Sequence, residues 1–208
     1  MKHFVTLASA LLVSGLTLFG SPIFSVQSGG ITIGSQNTGT AGTAAAPWLL
    51  SETMTSAGIV ALTDTDGNPL ASLPPFTAGS WISKTVLNNS GSTWTSFELE
   101  LQQILGTPSS DGDGLSFAQG LGLTFSSDKF STITRIDDTR DYINFSGGSV
   151  ANGQSVTFKF AITDNTPQSP VFINQTPNKV DGVPEPSSIA LVAAGLVAGA
   201  IVRRRRVQ

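Results

Sequence analysis

Residues 155–164 read SVTFKFAITD, and the alternation along them decides the fold class. Val156, Phe158, Phe160 and Ile162 stand at every second position, with Thr157 and Lys159 between them. A β-strand points successive side chains to opposite faces, so this spacing gives one inward and one outward face. Along a helix the same four residues would scatter round the axis and present no apolar stripe.

The same texture extends in both directions. Residues 93–105, TWTSFELELQQIL, set Phe97, Leu99 and Leu101 against Glu98, Glu100 and Gln102, which predicts a half-buried strand. WISKTVLNNSG at 81–91 and DYINFSGGSV at 141–150 read as strands running into turns. GIVALTDTDGNPL at 58–70 reads as a strand entering an Asp-Gly turn, and VFINQTPN at 171–178 as a final strand. About eight short strands with no helical period between them predict an all-β body: an antiparallel two-sheet β-sandwich of jelly-roll or immunoglobulin-like type. Twelve Phe and three Trp supply its core.

Composition removes several kinds of chemistry. There is no cysteine, so disulfides, thiolate nucleophiles and thiolate metal sites are excluded. The single histidine is His3, which leaves no Ser-His or Cys-His machinery for the body. From Ser28 to Val183, six basic residues stand against thirteen acids, a net of −7. Such a body is a poor partner for nucleic acid.

The two ends have a different character. Residues 1–28, MKHFVTLASALLVSGLTLFGSPIFSVQS, run from a charged start through an apolar stretch to small residues, the layout of a secretory signal peptide. We assign it to 1–25, with cleavage between Gly20 and Ser28. Residues 26–47, small, polar and almost uncharged, read as a flexible lead-in, with Ile31 and Ile33 available for a short edge strand. The β-sandwich domain is expected over 48–180. In 181–208, the run IALVAAGLVAGAIV at 189–202 is followed directly by Arg203, Arg204, Arg205 and Arg206. As a helix the run spans about 21 Å at 1.5 Å per residue. That is short of a hydrocarbon core of roughly 30 Å, but flanking arginines snorkel and hold their end on the cytoplasmic side. A single transmembrane helix with a stop signal is therefore expected, in preference to a nucleic-acid patch.

Pro184, Glu185 and Pro186, the apolar run and the arginine cluster together resemble the PEP-CTERM sorting signal. That signal marks exported proteins of exopolysaccharide-producing Gram-negative bacteria that are handled by exosortase, a membrane-embedded cysteine-type processing enzyme. The resemblance implies passage through the inner membrane, recognition at Pro184, Glu185 and Pro186, and transient anchoring by the helix. Delivery to the cell surface or the biofilm matrix then follows. NNSGSTWTSFELEL, DGDGLSFAQG, SSDKFS, DYINFSGGSV and FKFAITD also resemble cargo domains of this class, which implies a shared β-sandwich and brings no catalytic residues.

Binding chemistry has four candidates. DTDGNP at 64–69 begins like a calcium loop but places Pro69 and Pro75 where Gly and Glu are required, so a hairpin turn is the better reading. Asp111 and Asp113 in SSDGDGLSF can share a calcium ion or can serve hydrogen bonding within a glycine-rich turn. Asp137, Asp138 and Asp141 interleave with Arg135 and Arg140, as in a salt-bridged surface. Trp48, Trp81 and Trp94 can stack on sugar rings or pack the core. No pair of acids is spaced for glycoside hydrolysis. The expectation is a non-enzymatic surface or matrix protein without a cofactor, calcium apart, associated with exopolysaccharide. A carbohydrate- or calcium-binding adhesion module is the alternative.

Overall fold

The structure is a computed structural model that describes residues 22–63, 79–110, 112–118, 121–136, 140–165 and 170–178. Among these residues ten strands follow one another: β1 (Ile23–Asn37), β2 (Trp48–Thr63), β3 (Ser80–Asn88), β4 (Phe97–Gln102), β5 (Leu115–Ser116), β6 (Ser126–Ser127), β7 (Phe130–Ile136), β8 (Tyr142–Gly148), β9 (Ser155–Asp164) and β10 (Val171–Pro177). The described residues contain no helix. The all-β expectation holds. Hydrogen bonding joins the strands into one curled sheet of order β5-β9-β3-β2-β10-β4-β8-β7, with β1 paired to β2 and β6 to β9 off this path. One pairing, β2 with β3, is parallel.

Glycine makes the curl. β1 pairs along nearly the whole of β2, and register shifts on either side of the Gly29–Gly58 pair mark bulges, which bend the ribbon there. Gly29 has φ +83, and a Cβ there would lie 2.1 Å from the Ala57 carbonyl oxygen. A Cβ on Gly58 would lie 2.5 Å from the Ser28 carbonyl oxygen. The two backbones approach more closely than any side chain permits, which is what glycine in a strand corner supplies. Before the bend, Trp48 to Met54 of β2 pair with β3; beyond it, Gly58 to Leu62 pair with β10. One strand therefore belongs to both arms of the sheet.

The arms close on a shared apolar interior. Val156, Phe158, Phe160 and Ile162 are completely buried, as the alternation predicts. Phe158 on β9 packs on Phe97 of β4 and Phe145 of β8, both with centroids 4.7 Å apart, so one aromatic cluster ties the arms together. The first and last strands are both paired to their outer ends. β10 runs antiparallel to β4 with Pro177 opposite Phe97, while Ile23 lies opposite Thr63.

Two boundaries need correction. The segment 26–47 is no flexible lead-in: it holds most of β1 and then a loop that folds back onto the body. In that loop the Trp81 amide donates to the Gly42 carbonyl at 2.7 Å and Lys159 Nζ to the Ala44 carbonyl at 2.7 Å. The short edge strand offered by Ile31 and Ile33 extends into a long one because the order of this small polar segment comes from pairing with β2, which local composition does not display. The boundary at residue 25 also cuts through β1, where Phe24, 2% exposed, belongs to the core. β4 departs from its expected half-burial too, since Glu98, Glu100 and Gln102 are buried along with the apolar face.

Candidate functional site

β10 is the last strand among the described residues, and Asn178 follows it directly. Its φ of +54 is a left-handed conformation that asparagine tolerates better than most residues. There the Asn178 amide donates to the Ser96 carbonyl at 2.9 Å. Its Oδ1 accepts from the amide of Thr95 at 2.7 Å and that of Ser96 at 3.4 Å, and from the Thr95 hydroxyl at 3.3 Å. Its Nδ2 donates to the Thr93 carbonyl at 3.0 Å. One side chain thus fastens the exit of the chain to the loop between β3 and β4.

That loop is itself held firmly. Asn88 Nδ2 donates to the carbonyls of Ser92 at 2.8 Å and Val150 at 2.9 Å. Trp94 and Val150 exchange backbone hydrogen bonds, both 2.9 Å, and the indole Nε1 donates to Ser90 Oγ at 3.0 Å. The exit point is built on a fixed platform. From Asn178 to Pro184 the chain has six residues, which reach at most about 20 Å even fully extended.

The tryptophans serve the interior. Trp94 is 1% exposed, and Trp48 and Trp81 are 8% exposed each. Gly42 lies flat against the Trp48 ring, and Trp48 Nε1 donates to the Thr40 carbonyl at 3.3 Å. Trp81 meets the Phe125 ring edge-on at 6.0 Å, with Lys159 Nζ 5.5 Å from its centroid. A sugar ring needs an open indole face, and none of the three presents one. The stacking role expected for them is withdrawn, because burying such large surfaces gains more than leaving them in water.

The acids are also given to structure. Asp113 accepts from the Ser109 hydroxyl at 2.6 Å and from the amides of Ser110 at 3.2 Å and Leu115 at 3.0 Å, an arrangement that shapes its turn. Asp111, Asp64, Asp66 and Asn68 lie outside the described residues, as do Asp137 and Asp138. Arg135 and Arg140 also find partners outside their own segment. Arg140 reaches across to β4, donating to Glu98 at 2.7 Å and Glu100 at 2.6 Å, and lies 4.0 Å from the Tyr142 ring centroid. Burial opposes its charge, but the hydrogen bonds and charges of Glu100 and Glu98 outweigh that and raise its pKa further. Arg135 donates to the carbonyls of Phe117 at 3.0 Å and Ala118 at 3.3 Å. Strand register brought the partners together, which spacing along one segment does not reveal.

A second polar group went unrecognised in the sequence. Glu52 of β2 and Lys84 of β3 form an ion pair with both side chains completely buried. Gln175 of β10, also fully buried, donates from Nε2 to Glu52 Oε1 at 3.3 Å. Desolvation lowers the pKa of Lys84 below the ordinary lysine value, with the charge and hydrogen bond of Glu52 opposing it. The signal was present: Glu52 and Lys84 occupy inward positions of alternating strands, where an apolar residue is expected. The outer face of the same arm carries a shallow cleft of about 250 Å³ lined by Ser35, Gln36, Asn37, Leu49, Leu50, Ser51, Ser83 and Thr85. It contains no charged residue.

Among the described residues no helix is long and apolar enough to cross a membrane. The apolar run at 189–202, the arginine cluster and the signal peptide lie outside the described residues. No curated protein and no solved structure matches the chain. Residues 182–206 match the family described as the PEP-CTERM protein-sorting motif. The motif begins four positions beyond Asn178, and by carrying it the chain is marked as an exported protein, sorted by exosortase.

Proposed function

We propose that the protein is a non-enzymatic structural component of the cell surface or extracellular matrix, carried there as a folded β body. The observation that supports this most directly is the clamp at Asn178, the last of the described residues, which fastens β10 to the body four positions before the sorting motif. Folding and sorting are separated in the chain, so the tail can be recognised and removed without disturbing the sheet. The curled sheet is the cargo, and a two-sheet sandwich remains the architecture we assign it by type. Among its acids, Glu52, Glu98, Glu100, Asp113 and Asp128 are engaged in holding strands and turns. In this reading a C-terminal helix anchors the protein in the inner membrane of a Gram-negative cell until exosortase acts near Pro184, Glu185 and Pro186. The body then joins the exopolysaccharide-rich exterior.

Expression with and without exosortase tests the reading. In the presence of the enzyme the body should leave the membrane fraction, with its C-terminus near Pro184 by mass spectrometry. Without it the full-length chain should stay in the membrane. Release that is independent of exosortase would sink the proposal. Mixing the released body with purified exopolysaccharide, with and without Ca²⁺, tests the adhesion alternative; saturable binding would replace the structural role with that one.

A further inference from the structure

The Glu52, Lys84 and Gln175 cluster has the composition of a reaction centre. An amine and a carboxamide rest on the two oxygens of one carboxylate: Lys84 Nζ on Oε2 and Gln175 Nε2 on Oε1. All three side chains are sealed from solvent. Gln175 Oε1 is buried with no hydrogen-bond partner, a cost that a purely structural glutamine would leave uncompensated. Taking the charge from both members of a buried ion pair also relieves their desolvation.

We propose that Lys84 and Gln175 are the partners of an intramolecular isopeptide bond, formed without an external enzyme, with Glu52 as the proton carrier. Within the buried pair, the ammonium of Lys84 passes a proton to the Glu52 carboxylate, leaving a neutral amine and a neutral acid. Burial favours this exchange, since it disfavours both charges. The free lone pair of Nζ attacks Cδ of Gln175, forming the C–N bond, and the carbonyl oxygen takes the negative charge and accepts a hydrogen bond from the protonated Glu52. Glu52 then moves a proton from Nζ to the departing amide nitrogen. The old C–N bond breaks and ammonia leaves. No oxidant, metal or co-reactant enters the balance: an amine and a primary amide become a secondary amide and ammonia. Exclusion of water matters, because water is the competing nucleophile and would give glutamate.

The placement gives the bond a purpose. β3 and β10 lie on successive stretches of β2, one in each arm of the sheet, so the bond would lock the arms across the bend. The chain has no cysteine with which to form a disulfide for the same task. The inference is independent of the surface role and of processing by exosortase.

The test is peptide mass spectrometry of the folded full chain after prolonged incubation. The expected result is loss of the mass of one ammonia, located in a branched peptide that joins Lys84 to Gln175, and no tryptic cleavage after Lys84. Lys84→Arg and Glu52→Gln chains should both be unlinked. A folded wild-type chain that keeps linear peptides at both residues overturns the proposal, whether or not the variants fold. An ammonia loss mapped to any other residue overturns it as well. A linked Glu52→Gln chain overturns the role of Glu52 as proton carrier.

Discussion

Replacing Gly29 by alanine attacks the bend on which the curled sheet depends. Two costs combine. At φ +83 an L-residue is disfavoured by about 1–2 kcal/mol. The new Cβ would also sit 2.1 Å from the Ala57 carbonyl oxygen and 2.3 Å from the Gly58 Cα. Both are backbone atoms of the paired strand, and ordinary contact begins at 3.4 Å, so the ribbon must open by more than an ångström at its tightest point. Strain of this kind, with the ladder bonds it weakens, adds about 2–3 kcal/mol. Gly91→Ala is the control: it has a similar φ of +78 but nothing within 4 Å of the added Cβ, so only the first cost applies. Urea unfolding of the full chain in mild detergent, followed by the fluorescence of its buried tryptophans, reads the difference. With a slope of about 1–3 kcal/mol per molar, Gly29→Ala should unfold roughly 1–2 M earlier than Gly91→Ala. Coincident midpoints would refute the claim that close backbone approach, beyond positive φ, fixes the bend.

Other consequences can be checked in the same preparation. Asn178→Ala removes the side-chain bonds that fasten the exit to the loop at 93–96 and should cost about 1–2 kcal/mol. Limited proteolysis should then cut into β10 sooner than in the wild type, and equal protection would deny the clamp its role. Gln175→Ala cannot form the cross-link and leaves Lys84 as a free amine with a lowered pKa. The unfolded chain then binds more protons than the folded one between that lowered value and about 10.4, so stability should rise with pH across this window. Thermal melting should show the rise in Gln175→Ala and lose it in Gln175→Ala with Lys84→Met; a flat profile in the single variant would contradict the assigned direction. Arg140→Ala leaves two buried carboxylates, Glu98 and Glu100, without their shared cation and should destabilise the body by about 3 kcal/mol or more at neutral pH. Finally, signal-peptide cleavage should fall before Ile23, because β1 begins there and Phe24 is core; an N-terminus found beyond Phe24 would contradict that boundary.

Legibility followed the range of the interactions. The alternation in 155–164 and 97–101 is written locally, and the inward residues it names are buried to the last. The tail was equally legible, because a sorting signal is read as a linear segment. What the sequence withheld is set by register. Glycines at 29 and 30 look like flexible linker, and Gly58 like the start of an ordinary strand, until β1 lies beside β2, where they become the one residue type that fits. Arg140 stands near acids of its own segment in sequence but pairs with Glu98 and Glu100 on the neighbouring strand. The tryptophans carried two readings, and only the closing of the arms over them chose between these.

The buried trio shows where a stricter reading of the same alternation would have gone further. In WLLSETM, positions 48, 50, 52 and 54 share the inward face, and Glu52 breaks an otherwise apolar series. In WISKTVLN, Lys84 does the same between Ile82 and Val86, and in VFINQTP Gln175 follows Val171 and Ile173. Three polar interruptions, each on the inward face of its own strand, break the apolar series around them. A buried charge is costly unless something meets it, so a single interruption implies a partner elsewhere in the core. An acid, an amine and an amide, interrupting three strands that the topology makes neighbours, imply that they meet one another. Exceptions to the hydrophobic pattern therefore point to the chemistry, while the pattern itself gives the fold.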